Sequence, residues 1–165
     1  MTIEPAGEPA GEPAVGPDVA EIAVDRALAE RERGPEIVQP EGWPRPNGYS
    51  NGAVASGRFV VLAGQIGWNP VSGQFEVNDF LGQTRQALIN IVALLLAGGA
   101  RPRDLVRLTW YILDRDEYLS AGRDIGAVYR ELIGDHYPPM SVVVVSGLLE
   151  SRARVEIEAT AVIPD

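Results

Sequence analysis

The chain is predicted to fold as an α+β domain, one sheet with two helices packed on one face, and three observations predict it. The run Ala153 to Val162 alternates, with Val155, Ile157, Ala159 and Ala161 on one side and Glu156, Glu158 and Thr160 on the other, as a strand with two different faces does. Its neighbour Val142 to Val145 shows no alternation, which implies apolar cover on both faces of the sheet there. Only two helices of the folded part are convincing, enough to cover one face. The carboxylate-bearing face is therefore expected to meet another subunit, with a site in the seam.

The elements follow in order. Residues 1–40 read as a disordered or loosely docked extension: EPAGEPAGEPA is a Gly-Glu-Pro-Ala repeat with nothing to bury, and Asp18 to Arg33 carries the pattern of one helix with a thin apolar stripe. Residues 41–165 form the domain. Arg58 to Gln65 reads as a strand, and Asn69-Pro70-Val71-Ser72-Gly73 as a turn. Asp79 caps a helix in which Phe80, Thr84, Leu88, Ile91 and Leu95 recur at helical spacing, with Gly98-Gly99 ending it. Leu105 to Leu113 is β-branched and aromatic, as a buried strand is. A second helix is expected from about Glu117 to Ile133, stopped by Gly134, before strands Ser141 to Gly147 and Arg154 to Val162.

Composition narrows the function. The chain has 165 residues, 45% of them hydrophobic, which suits one domain with a core. No apolar run reaches the length of a membrane span and the Met1 end is acidic, so a soluble cytoplasmic protein is expected. With no cysteine and a single histidine, His136, neither a cysteine nucleophile nor the usual zinc ligand set is available, and no metal or cofactor is expected. The net charge of -9 argues against nucleic acid as a partner. Six of those charges fall in residues 1–40, so the folded part is only mildly acidic.

The segments NGYSNGAV (47–54), VVLAGQIGWNPVSGQ (60–74), QTRQALINIVALLLAGGA (83–100), LVRLTWYILDRDEY (105–118), YPPMS (137–141) and VEIEATAV (155–162) resemble the reactive intermediate deaminase family, RidA/YjgF, over roughly residues 45–163 in unbroken order. The resemblance implies a chorismate-mutase-like fold, a homotrimer, and clefts between subunits in which enamines or imines are hydrolysed to ketones and ammonia without metal or cofactor. It also implies site residues. Glu156 stands where the family holds the attacking water, and Tyr49 where a tyrosine borders the cleft. The family's carboxylate-binding arginine, in a P-A-R-S motif, is replaced by Met140, followed by Ser141. Its serine before Gly-Gln is replaced by Ala63, followed by Gly64 and Gln65. A helix asparagine corresponds to Gly126.

Read by themselves, these residues have plainer roles to weigh. Glu156 fits a solvated strand carboxylate as well as a proton shuttle between water and leaving ammonia; Glu158 fits a structural hydrogen-bonding group. Met140 fits core or an apolar cleft wall. Trp68 and Trp110 fit core or interface aromatics as well as ligand-stacking rings. His136 fits a helix-end dipole partner or a rim residue, and Arg152 and Arg154 fit surface pairing or an anion at the seam's edge. The leading expectation is hydrolytic deamination of an enamine or imine, ring-containing or thioester-linked as in aromatic amine breakdown, rather than 2-aminoacrylate or a 2-aminomuconate-type dicarboxylate. The alternative is a trimeric small-molecule-binding or chaperone-like protein without the chemistry. A ribonuclease role, sometimes attached to the family, is disfavoured by the charge.

Overall fold

A computed structural model describes residues 34–165; the GEPA repeat and the helix expected over 18–33 lie outside the described residues. A two-stranded antiparallel ribbon comes first, β1 (Glu36–Val38) against β2 (Gly52–Val54), with Ile37 opposite Ala53. Residues 36–38, assigned to the extension by the sequence, are thus paired to the segment that leads into the main sheet.

That sheet has four strands in the order β3 (Arg58–Ile66), β6 (Val155–Ile163), β4 (Leu105–Ile112), β5 (Met140–Val144). β6 runs antiparallel to both neighbours, and β5 runs parallel to β4, so the sheet is mixed. The helices among the described residues pack on one face. α1 (Phe80–Ala97) is capped by Asp79, whose side chain accepts the Gly82 N–H at 2.7 Å, and the chain leaves it through Gly99 at φ 81°. The expected apolar stripe is the buried one: Phe80, Thr84, Leu88, Ile91 and Leu95 all face the sheet. Each large apolar side chain withdrawn from water here contributes roughly 1.5–3 kcal/mol. By length and hydropathy this helix does qualify as a membrane span, contrary to the sequence reading, but Gln83, Thr84 and Asn90 lie on its buried side and its apolar stripe covers the sheet.

The second helical region differs from expectation. It begins earlier and is broken at Ala121 into α2 (Arg115–Ser120) and α3 (Gly122–Leu132), giving three α-helices among the described residues where two were expected. Asp114 explains the early start, because its side chain accepts the N–H groups of Asp116 and Glu117 at 2.8 and 3.0 Å. The break falls beside Gly122, a weak helix former. Gly134, at φ 90°, ends α3 as predicted.

Strand parity sorts the side chains. Val155, Ile157, Ala159 and Ala161 face the helices and are buried with Leu108, Trp110 and Ile112. Glu156, Glu158, Thr160, Arg107 and Tyr111 face the other way, beside Phe59 and Val61 of β3. Val162 at one end of that face is buried, but its middle is bare, with Phe59 68% and Val61 74% exposed. Val142 packs partly on the core, but the end of β5 is bare on both sides: Val143 and Val144 point to opposite faces and both stay exposed, so the cover expected there does not come from the chain's own described elements.

Candidate active site

On the helix side, the loop holding Tyr49 is fastened to the start of β5. The Ser50 N–H donates to Pro138 O at 3.2 Å, and Ser50 bridges Pro139, whose own carbonyl accepts the Leu108 N–H at 3.0 Å. Tyr49 is thereby set beside Met140, at the side of a cleft of about 710 Å³. Met140, Val142 and Trp110 line its sheet side, because all three occupy the helix-facing parity of β5 and β4. Trp110 is a core residue at 1% exposure, edge-on to Tyr118 with ring centres 6.3 Å apart; its Nε1 lacks a hydrogen-bond partner among the described residues.

The opposite wall is α3. Gly126 lies on the cleft, and a Cβ built there would be 3.4 Å from Nη1 of Arg130. Arg123 lines the same cleft, and neither guanidinium has a hydrogen-bond or ion-pair partner among the described residues. Tyr129 and Tyr137 stack at 5.5 Å, and the Tyr129 hydroxyl donates to His136 O at 2.9 Å. Burial pushes that hydroxyl far above the usual tyrosine range, so it stays protonated. His136 lies neither at the helix carbonyls nor on the rim: its Nε2 is 2.7 Å from Leu105 O, joining the loop to β4.

On the uncovered face, Glu156 is paired with Ile66 on one side and Tyr111 on the other. A bulge in β3 between Leu62 and Gln65 brings Gly64 under its carboxylate, where any side chain would collide with it. Ala63 is exposed in the bulge, and the Gln65 side-chain amide folds back to the carbonyls of Ala63 and Gly64, each at 3.2 Å. Asn90 of α1 anchors the end of this strand by donating to Ile66 O and Trp68 O at 3.2 and 2.9 Å. Glu158 accepts the Tyr111 hydroxyl at 3.1 Å, a bond that raises the phenol's pKa, as its structural reading required.

In one protomer, then, the candidate residues form two groups on opposite faces of one sheet. Tyr49, Trp110, Gly126 and Met140 gather at the cleft; Ala63, Gly64 and Glu156 gather at the bulge on the uncovered face, while Gln65, opposite Ile157, takes the helix-facing parity without lining the cleft. Ser141 shares the uncovered face and borders a smaller hollow with Tyr49. Trp68, partly exposed past the end of β3, does not line the cleft. The arginines singled out by sequence are occupied: Arg152 donates to Phe75 O and lies 5.0 Å from the centre of the Phe75 ring, and Arg154 pairs with Glu117 at 2.8 Å. Arg123 and Arg130 were missed, although two arginines seven apart with a glycine between them on one helix face were readable as a signal. Among the described residues no three acidic or histidine side chains gather as a metal ion would require.

A mixed four-stranded sheet with helices on one face, an aromatic-lined cleft beside its parallel edge strand and a carboxylate on its bare face define the class of small α+β proteins to which the comparisons point. The chain belongs to the RidA/YjgF superfamily: the family described as Endoribonuclease L-PSP matches residues 44–163. A RutC family protein of Pyrococcus horikoshii is 35% identical over 76% of this chain and 96% of its own length. The 2-iminobutanoate/2-iminopropanoate deaminase of Escherichia coli K12 is 30% identical, over 77% of this chain and 97% of its own. A solved structure of a Rid family protein from Yersinia pestis, 32% identical, superposes with a TM-score of 0.68 over 79% of this chain and 99% of that one. The family thus includes imine deaminases.

Proposed function

We propose that the protein hydrolyses an enamine or imine to a ketone and ammonia, and that it does so as a homotrimer in which the cleft of one subunit meets the Glu156 surface of the next. The observation that carries this is the split of the candidate residues across one sheet: a single subunit holds both halves but its own strands keep them apart. The bare apolar face around Phe59 and Val61 gives the neighbour a surface to cover. In the seam, a substrate lies over Met140 and Val142, and water held by Glu156 adds to the protonated imine carbon. The water gives up a proton to the carboxylate as the carbon–oxygen bond forms. The same group returns that proton to nitrogen and then takes the hydroxyl proton as the carbonyl forms and the carbon–nitrogen bond breaks, releasing ammonia and leaving on the carboxylate the proton that had activated the imine. No cofactor enters this scheme.

Met140 sets the preference. A thioether offers apolar surface and only a weak acceptor, so recognition does not run through a guanidinium at that position, and ring-containing or thioester-linked imines suit the floor better than 2-aminoacrylate. The test is ammonia release from imines generated in place by an amino-acid oxidase. Faster turnover of the imine from phenylalanine than of that from alanine supports the reading; no acceleration over buffer with any imine overturns it and leaves the trimeric binding protein, which the loss of the arginine favours.

A further inference from the structure

Helix α3 carries a feature that imine hydrolysis leaves unused. Arg123 and Arg130 both line the cleft, and residues seven apart on a helix share a face about 10.5 Å apart along its axis. Gly126 lies between them. Its backbone is ordinary helix with negative φ, so no conformational need explains a residue that weakens a helix interior. What the glycine provides is open space at the cleft, and the Arg130 guanidinium borders it, with Nη1 at a contact distance of 3.4 Å from where a Cβ would stand. The chain has 23 acidic and 14 basic residues, yet neither guanidinium is paired with a described carboxylate. Arg85 and Arg154, by contrast, both are.

We infer that Arg123 and Arg130 form an anion clamp on the helix wall of this cleft. The substrate is then an imine or enamine whose carboxylate or phosphate sits on an arm directed away from the apolar sheet side at Met140. This deepens the proposed function and rests on the cleft being the substrate site. Both arginines are exposed, so the clamp lies at the solvent side, while Trp110 at the sheet side is buried. Guanidinium pairs bind such oxyanions through parallel charge-assisted hydrogen bonds. The anion is held by a different wall from the one that carries Met140, which separates anion recognition from the reacting carbon.

Calorimetric titration of the full-length protein tests this with three probes of one ring: phenylpyruvate, phenyl phosphate and neutral phenylacetone. Wild type should bind at least one anionic probe about tenfold or more tighter than phenylacetone, with the gap narrowing at high salt. Arg123→Met with Arg130→Met should close the gap while phenylacetone affinity stays unchanged, and Gly126→Leu should narrow it by displacing the Arg130 guanidinium. The larger of the two anionic gaps identifies carboxylate or phosphate. Equal affinity for all three probes, or an anion preference that survives the double substitution, overturns the clamp. Met140→Trp, which fills the sheet side, separates the two failures. If it abolishes phenylacetone binding while the arginine variants change nothing, the clamp falls and the cleft stands; if no probe binds, both fall.

Discussion

The carboxylate of Glu156 rests against the bare Cα of Gly64, brought there by the bulge in β3. Gly64 does not have positive φ, so the glycine serves this close approach and not a turn. Gly64→Ala should therefore fold normally but push the carboxylate aside. A displacement of about 1 Å of a reacting group costs on the order of a hundredfold in rate, so kcat for imine hydrolysis should fall by about that much while Tm changes little. A Gly64→Ala variant with unchanged kcat would remove Glu156 from the chemistry.

Glu156→Gln keeps the shape and removes the proton shuttle. Turnover should drop by about a hundredfold or more, the usual scale for a lost general acid and base, with the oligomer intact by light scattering. Glu158→Gln should cost less, because Glu158 accepts from Tyr111 and does not approach Gly64. Equal losses in the two variants would argue for a shared structural effect.

Met140→Arg places a guanidinium on the sheet side of the cleft. Removing one partner of a buried charged pair costs about 2–5 kcal/mol, so wild type should be nearly inert toward 2-aminoacrylate, and the substitution should restore activity in part. The restoration stays incomplete because Ala63 and Gly126 still lack polar groups. Ammonia release coupled to a threonine dehydratase acting on serine measures it; wild-type activity equal to that of an arginine-bearing relative would refute this account of specificity.

Val61 is 74% exposed on the face that the next subunit is proposed to cover. Val61→Asp should shift the light-scattering mass from trimer to monomer and abolish activity together, since a charge buried in that seam has no partner. A monomeric wild type, or a monomeric and fully active variant, would contradict a site shared between subunits.

Asp114 links stability to pH. Backbone N–H donation from Glu117 and Asp116 holds its carboxyl below the ordinary value of 3.8. A folded pKa below the unfolded one means that this contribution is complete above 3.8 and is lost as pH falls through the folded value. Asp114→Asn can still cap α2 but does not titrate, so its Tm should fall less steeply below pH 4 than that of wild type. Parallel Tm curves for the two proteins would show that the cap does not set the acid response.

Much of the fold is local and was legible. The alternation of Val155 to Ala161, the stripe from Phe80 to Leu95, the Asp79 cap and the stops at Gly98 and Gly134 each depend on neighbours within a turn or a pleat, and the structure holds all of them. The break at Ala121 was not legible, because Asp114 as cap competes with a register that begins later. The ribbon of 36–38 with 52–54 was missed because its three-residue strands leave almost no periodicity.

The sequence by itself determined the family and the α+β pattern, since motif order and side-chain period are written along the chain. Only the tertiary structure decided that Glu156 and Met140 lie on opposite faces of one sheet. That outcome follows from Trp110, which faces Ile157 across one ladder and Val142 across the other, and so places Met140 with the buried parity and Glu156 with the bare one. It also decided that Arg123 and Arg130 share the cleft while Arg152 and Arg154 are taken up elsewhere. Register is a relation between strands 30 or more residues apart, set by packing against α1 and α3, and no local period encodes it.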